Sequence, residues 1–142
     1  MVNDTLAARP FTGIWEREYP FADHYLDLGD ARLHYVDEGS GGPTLLFLHG
    51  NPTWSFYWRH LIQHFRGTHR CVAVDHMGCG LSDKPQHYPY TLAQHIANAR
   101  SLVHALDLRD VVLVVPDWGG AIGMGLAAQI ADRVRGFVAC NP

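Results

Sequence analysis

Val111-Val112-Leu113-Val114-Val115-Pro116-Asp117-Trp118-Gly119-Gly120 is the stretch on which the fold turns. Val111–Val115 is an apolar run without polar alternation, the pattern of a strand buried on both faces. It breaks at Pro116-Asp117 and passes with no linker into Trp118–Ile130, a small, apolar segment that predicts a helix. A strand that turns straight into a helix holds the residue at its tip exposed in a sparsely populated conformation. Asp117 is that residue, and Gly119 and Gly120 let the helix start close to the strand. An Asp between strand and helix is also an ordinary N-cap. The stretch alone leaves both readings open.

The same grammar recurs on either side. Leu45–Leu48 follows a Gly-rich loop, Arg70–Asp75 repeats the buried-strand pattern, and Val134–Cys140 is a weaker version interrupted by Gly136. Between them, Ser55–Phe65 is amphipathic and Thr91–Leu106 begins with a plausible N-cap in Thr91. Strand, helix, strand, helix with short links predicts an α/β fold: a mostly parallel sheet covered by helices. His24–Val36 alternates around Gly29-Asp30 and predicts a hairpin. Residues 1–22 read as an irregular arm that packs Phe11, Trp15 and Tyr19 on the body, and 23–142 as one core domain. No repeat, low-complexity tract or linker divides the chain.

Composition narrows the partners. The 142 residues are 47% hydrophobic, which suits one globular domain. Eleven Lys+Arg against 14 Asp+Glu give a net charge of -3 with no basic patch, which argues against nucleic acid and anionic membrane. The N-terminus has no apolar signal core, and no run approaches the ~18 apolar residues of a membrane span. The chain therefore reads as a soluble, cytoplasmic protein. Cys71, Cys79 and Cys140 make no CxxC and read as buried free thiols. His60 and His64 share a helix face without the Glu of a zinc motif, and the ten histidines lack ligand spacing. Gly78-Cys79-Gly80 lacks a third glycine and reads as a turn, not a phosphate cradle. Neither metal nor cofactor is expected.

In open α/β sheets the chemistry collects at the carboxyl ends of the strands. HGNPT, DHMGCGLSDKP and PDWGG all fall there. In order and spacing, from about Leu28 to Pro142, they resemble the α/β-hydrolase superfamily and within it the haloalkane dehalogenases, with epoxide hydrolases as near relatives. The resemblance implies an incomplete α/β-hydrolase core with Asp117 as nucleophile. It also implies that Asn51 and Trp118 hold halide through their side chains and supply oxyanion donors through their backbones. His49 would orient the loop that presents Asn51. The substrate would be small and hydrophobic, a haloalkane.

The residue types suit that chemistry. A Ser attacking an sp³ carbon leaves an ether, whereas Asp leaves an ester that water can open. Halide departs without a proton and needs only donors, which an indole N–H and an amide NH₂ provide. A cis Asn51-Pro52 peptide is also expected, as is a positive φ or another sparsely populated conformation at Asp117. Two departures stand out. Pro116 occupies the place where the family usually has His. Family members are also roughly twice as long, and their base His and cap belong to the other half. Some place an acid 24 residues after the nucleophile, where this chain has Asn141. The 142-residue chain is therefore expected to be catalytically incomplete. An epoxide hydrolase, or a non-catalytic remnant serving as a binding or structural module, are the alternatives.

Overall fold

The protein is described by a computed structural model covering residues 13–140. Six strands form one sheet: β1 (His24–Asp27), β2 (Arg32–Glu38), β3 (Thr44–Leu48), β4 (Cys71–Val74), β5 (Val111–Pro116) and β6 (Val134–Cys140). Their spatial order is β1-β2-β4-β3-β5-β6. The β1–β2 and β2–β4 pairs are antiparallel, while β4, β3, β5 and β6 run parallel. This is the mostly parallel α/β sheet that the buried runs predict, with the hairpin about Gly29 appended at one edge.

Period-2 alternation within the buried strands divides the core into two layers. Leu46 and Leu48, Val72 and Val74, and Leu113 and Val115 face one side of the sheet. They pack there on α3 (Leu92–Ala105), through Ala99, Leu102 and Val103, and on α4 (Asp117–Gln129), through Ile122 and Leu126. Phe47, Ala73 and Val114 face the other side, against Trp58, Ile62, Tyr19 and Phe21. Each fully buried side chain of this size contributes about 1.5–3 kcal/mol, so both layers hold β3, β4 and β5 rigidly in register. Thr91 Oγ1 accepts the Gln94 N–H at 3.2 Å and caps α3 as expected.

Four details differ from the expectations. The stretch read as an irregular arm contains a short helix, α1 (Ile14–Glu18), from which Trp15 packs edge-on against Phe56 at 4.9 Å. Tyr19 is buried, and Phe11 lies outside the described residues. The amphipathic stretch splits into a 3-10 turn (Ser55–Trp58) and α2 (Arg59–Phe65). Gly136 does not interrupt β6: the pairing jumps from Val111–Val134 to Val112–Gly136, so Arg135 is bulged out and the strand continues. Of the cysteines, all free, only Cys71 is buried; Cys79 is partly exposed and Cys140 exposed, because β6 is an edge strand whose side chains from Phe137 onward are uncovered. His60 and His64 are solvated on α2. Among the described residues no helix is long and apolar enough to cross a membrane.

Candidate active site

The strand-to-helix turn after β5 is abrupt. Pro116 is the last strand residue, in register with Cys140, and Asp117 already opens α4 with φ 46°. Proline is tolerated at a strand end, where the missing N–H breaks no further ladder bond. Asp107 and Asp110 also have positive φ, so that conformation alone does not mark a nucleophile. Its contacts set Asp117 apart from both. Its Oδ1 reaches across to another loop and accepts the backbone N–H of Asn51 at 3.1 Å. The backbone N–H of Trp118 also bonds the carboxylate, and the two donors hold it below the usual carboxylate range.

Two glycines permit this approach. A Cβ on Gly50 would lie 2.6 Å from the Asp117 Cβ, and one on Gly119 would lie 2.1 Å from the Leu48 carbonyl oxygen. Gly120, expected to serve the same end, has nothing within 4 Å of its Cβ position. Gly119→Ala is therefore expected to destabilise the fold by about 1–3 kcal/mol, towards the upper end because the obstacle is backbone. Gly120→Ala should cost little, and urea denaturation of the two variants checks the contrast.

The loop that carries Asn51 is fixed from behind. The Asn51-Pro52 peptide is cis. His49 Nδ1–H donates to the Gly50 carbonyl at 2.7 Å, and His49 Nε2 accepts the His76 backbone N–H at 2.9 Å. His76 Nε2–H donates back to the His49 carbonyl at 3.1 Å. Burial pushes both imidazoles down, His76 well below the ordinary value, so both stay neutral with defined tautomers.

Asn51 and Trp118 line a cavity of about 440 Å³, together with Met77, Leu92, His95 and Ile122. Trp118 is 55% exposed, so its indole is available to a ligand. Asp117, bonded to Asn51 and packed on Gly50, stands at the margin of this cavity. The three residues singled out from sequence thus come together at the carboxyl end of the parallel strands. Asn141 lies outside the described residues, and among those described no group of histidines, cysteines and acids is arranged to hold a metal. Sequence reasoning included Asp75, after β4, in DHMGCGLSDKP without giving it a role, and passed over His34, in β2. Asp75 could have been singled out: like Asp117 it follows a doubly buried strand at the carboxyl edge of the sheet.

A mostly parallel sheet with flanking helices is the architecture of the α/β hydrolases. The chain belongs to the alpha/beta hydrolase fold family, whose model matches residues 43–142. It is 46% identical over 125 residues to the cis-3-alkyl-4-alkyloxetan-2-one decarboxylase of Shewanella oneidensis, covering 86% of this chain and 39% of that protein. It is likewise 46% identical over 123 residues to haloalkane dehalogenase 2 of Mycobacterium bovis, covering 87% of this chain and 43% of the relative. Among solved structures, one from work on novel epoxide hydrolases in metagenomes from hot environments superposes with a TM-score of 0.77 at 37% identity, covering 85% of this chain and 42% of that one. The chain spans about two fifths of the length of these relatives.

Proposed function

We propose that these residues carry the attacking half of a hydrolase that displaces halide from an alkyl halide through an Asp117-alkyl ester. The observation that carries the reading is the Asn51 N–H bond to Asp117 Oδ1, made at a positive-φ turn beside a cavity whose lining includes Met77, Leu92, Trp118 and Ile122. One carboxylate oxygen is held, and the other is the attacking atom. It forms the C–O bond as the carbon–halogen bond breaks, and the halide takes the bonding pair. The Asn51 amide and the Trp118 indole then hold the halide as donors. Once the ester forms, its carbonyl oxygen already sits against the Asn51 and Trp118 backbone donors, where an oxyanion develops when water attacks. That second step calls for a general base, which the resemblance assigns to residues outside this chain. A 142-residue chain is therefore proposed to stop at the ester.

The decarboxylase relative favours a second reading. An oxetan-2-one attacked at its ring carbon opens with a carboxylate as leaving group, which like halide departs without a proton. An epoxide would leave an alkoxide that needs one.

The test follows attack, not turnover. Incubation with a 1-haloalkane should add one alkyl group at Asp117, seen by peptide mass spectrometry, with one halide released per chain. An epoxide and an oxetan-2-one run in parallel discriminate the leaving groups. Modification by the epoxide alone, with no halide released, would overturn the dehalogenase reading.

A further inference from the structure

Behind the site lies a charged cluster to which neither the sequence reading nor the mechanism assigns a role. The His34 side chain is fully buried in β2. Its Nδ1 lies 2.9 Å from Asp75 Oδ2 and its Nε2 lies 3.0 Å from Asp23 Oδ1. A neutral imidazole has one N–H and one lone pair, so it cannot donate to both carboxylates. With both acids ionised, one lone pair would face an anionic oxygen at hydrogen-bond distance in a buried site. The arrangement requires a proton held within the triad, and an imidazolium donating from both nitrogens satisfies both neighbours.

Asp75 connects this triad to the catalytic loops. Its Oδ1 accepts the Ser55 N–H at 2.7 Å, and its Oδ2 accepts the Leu81 N–H at 2.8 Å. The Asp75 carbonyl accepts the Ser82 hydroxyl at 2.6 Å, and Ser82 Oγ in turn accepts the His34 backbone N–H at 2.8 Å. Gly80 has φ 50°, and a Cβ there would meet Asp75 Oδ2 at 2.2 Å, so the loop is shaped around this carboxylate. Ser55 follows the turn that begins at Asn51, and the loop anchored at Leu81 supplies Met77, Gly78, Cys79 and Lys84 to the cavity wall. One buried carboxylate therefore ties together two loops that border the cavity.

We propose that the Asp23–His34–Asp75 triad is a protonated clamp, in which His34 and Asp75 act as positioning residues for attack by Asp117. The inference rests on the nucleophile reading for its rate measurement only. The other charged and titratable groups around the triad are few. The Tyr25 ring packs edge-on to His34 at 5.3 Å, and Arg32 pairs with Asp83 at 3.3 Å at the surface end of β2. His49 and His76 lie towards the cavity and are neutral. Cys79 is pushed up by burial and by the Asp75 charge, so its thiol stays protonated.

The pH window follows from the signs. Burial opposes a charge on His34, but the bonds to Asp23 and Asp75 outweigh it and raise its pKa above the ordinary value. The clamp is therefore complete below about pH 6.5, the unfolded value, and is lost as pH rises through the higher folded one. Burial likewise opposes a charge on Asp75, but His34 and the Leu81 and Ser55 amides outweigh it and lower its pKa. Its contribution is present above about pH 3.9 and is lost as pH falls through the lower folded value. Asp117 is ionised across the neutral and alkaline range, so its own titration produces no alkaline limb.

Nitrogen-15 imidazole NMR on the folded chain tests the proton directly. At pH 6.5, where a free imidazole is about half protonated, His34 should show both nitrogens protonated, and His49 should serve as the internal neutral standard protonated at Nδ1 alone. The rate of ester formation from a 1-haloalkane should fall as the His34 resonances titrate. His34→Gln should slow it at least tenfold at pH 7 and remove that alkaline limb, and Asp23→Asn is the milder variant should His34→Gln not fold. A His34 with a single protonated nitrogen at pH 6.5, or an unchanged alkaline limb in a folded variant, overturns the clamp. Should no electrophile alkylate Asp117, the nucleophile reading fails, and the NMR result with the pH dependence of thermal unfolding still decides the clamp.

Discussion

Asp117→Asn is expected to abolish ester formation, lowering halide release on the order of 10⁴-fold or more, as removal of an attacking group does in other covalent hydrolases. Asparagine suits the test because it also tolerates positive φ and keeps an oxygen to accept the Asn51 N–H. The φ of 46° and the 3.1 Å bond can both persist, and stability should change little. What disappears is the anionic oxygen. Among the described residues, the acids at strand ends cannot substitute for it. Asp75 is buried and bound by His34, Ser55 and Leu81. Asp107 and Asp110 precede β5, at the opposite end of the strand, and pair with Arg133 at 2.7 Å and Arg135 at 3.0 Å. Six residues of strand separate Asp110 from Asp117, about 20 Å at ~3.3 Å per residue. Stoichiometric halide assays and peptide mapping of the wild type and variant measure the effect. Undiminished alkylation of the variant would remove Asp117 from the mechanism.

The parts of this molecule legible in sequence are those written in local pattern. Leu45–Leu48, Arg70–Asp75 and Val111–Val115 are apolar without alternation because both faces of their strands are covered, and each forms a strand of the parallel sheet. That Asn51, Asp117 and Trp118 come together at one end of the sheet follows from their places after strand ends, whereas the roles proposed for them come from the resemblance and leave no local pattern. The Asp23–His34–Asp75 triad was not legible, since its hydrogen bonds span 11 and 41 residues and leave no local period. His34 looks like any residue of an alternating hairpin until the fold buries Leu33–Val36 entirely. Helix α1 also escaped notice, because Ile14–Glu18 is too short to display a 3.6-residue period and buries no side chain of its own. The exposed Cys140 follows from tertiary position, as does the uncovered face of β6, and an apolar run cannot reveal either.

Removing one halide donor at a time is expected to slow halide loss by about 10²–10³-fold, the range of about 2.7–4 kcal/mol typical of a preorganised donor. Trp118→Phe keeps an aromatic ring beside the cavity and deletes only the indole N–H, so it separates hydrogen bonding from packing. Asn51→Ala deletes the amide side chain and retains the backbone N–H that holds Asp117 Oδ1, so it separates the leaving-group donor from the oxyanion donor. Neither change opens a hole in the core: Trp118 is more than half exposed and Asn51 is exposed, so the folded state should survive both. The penalty should follow the leaving group. Bromide and chloride, which depart as anions into these donors, should suffer from either substitution. An epoxide, limited by the proton its alkoxide must acquire, should respond far less. Single-turnover halide release from a matched pair of 1-bromo- and 1-chloroalkanes gives the first comparison, and epoxide alkylation of the same variants gives the second. A Trp118→Phe variant that released halide at the wild-type rate would show that the indole N–H contributes nothing to stabilising the departing anion.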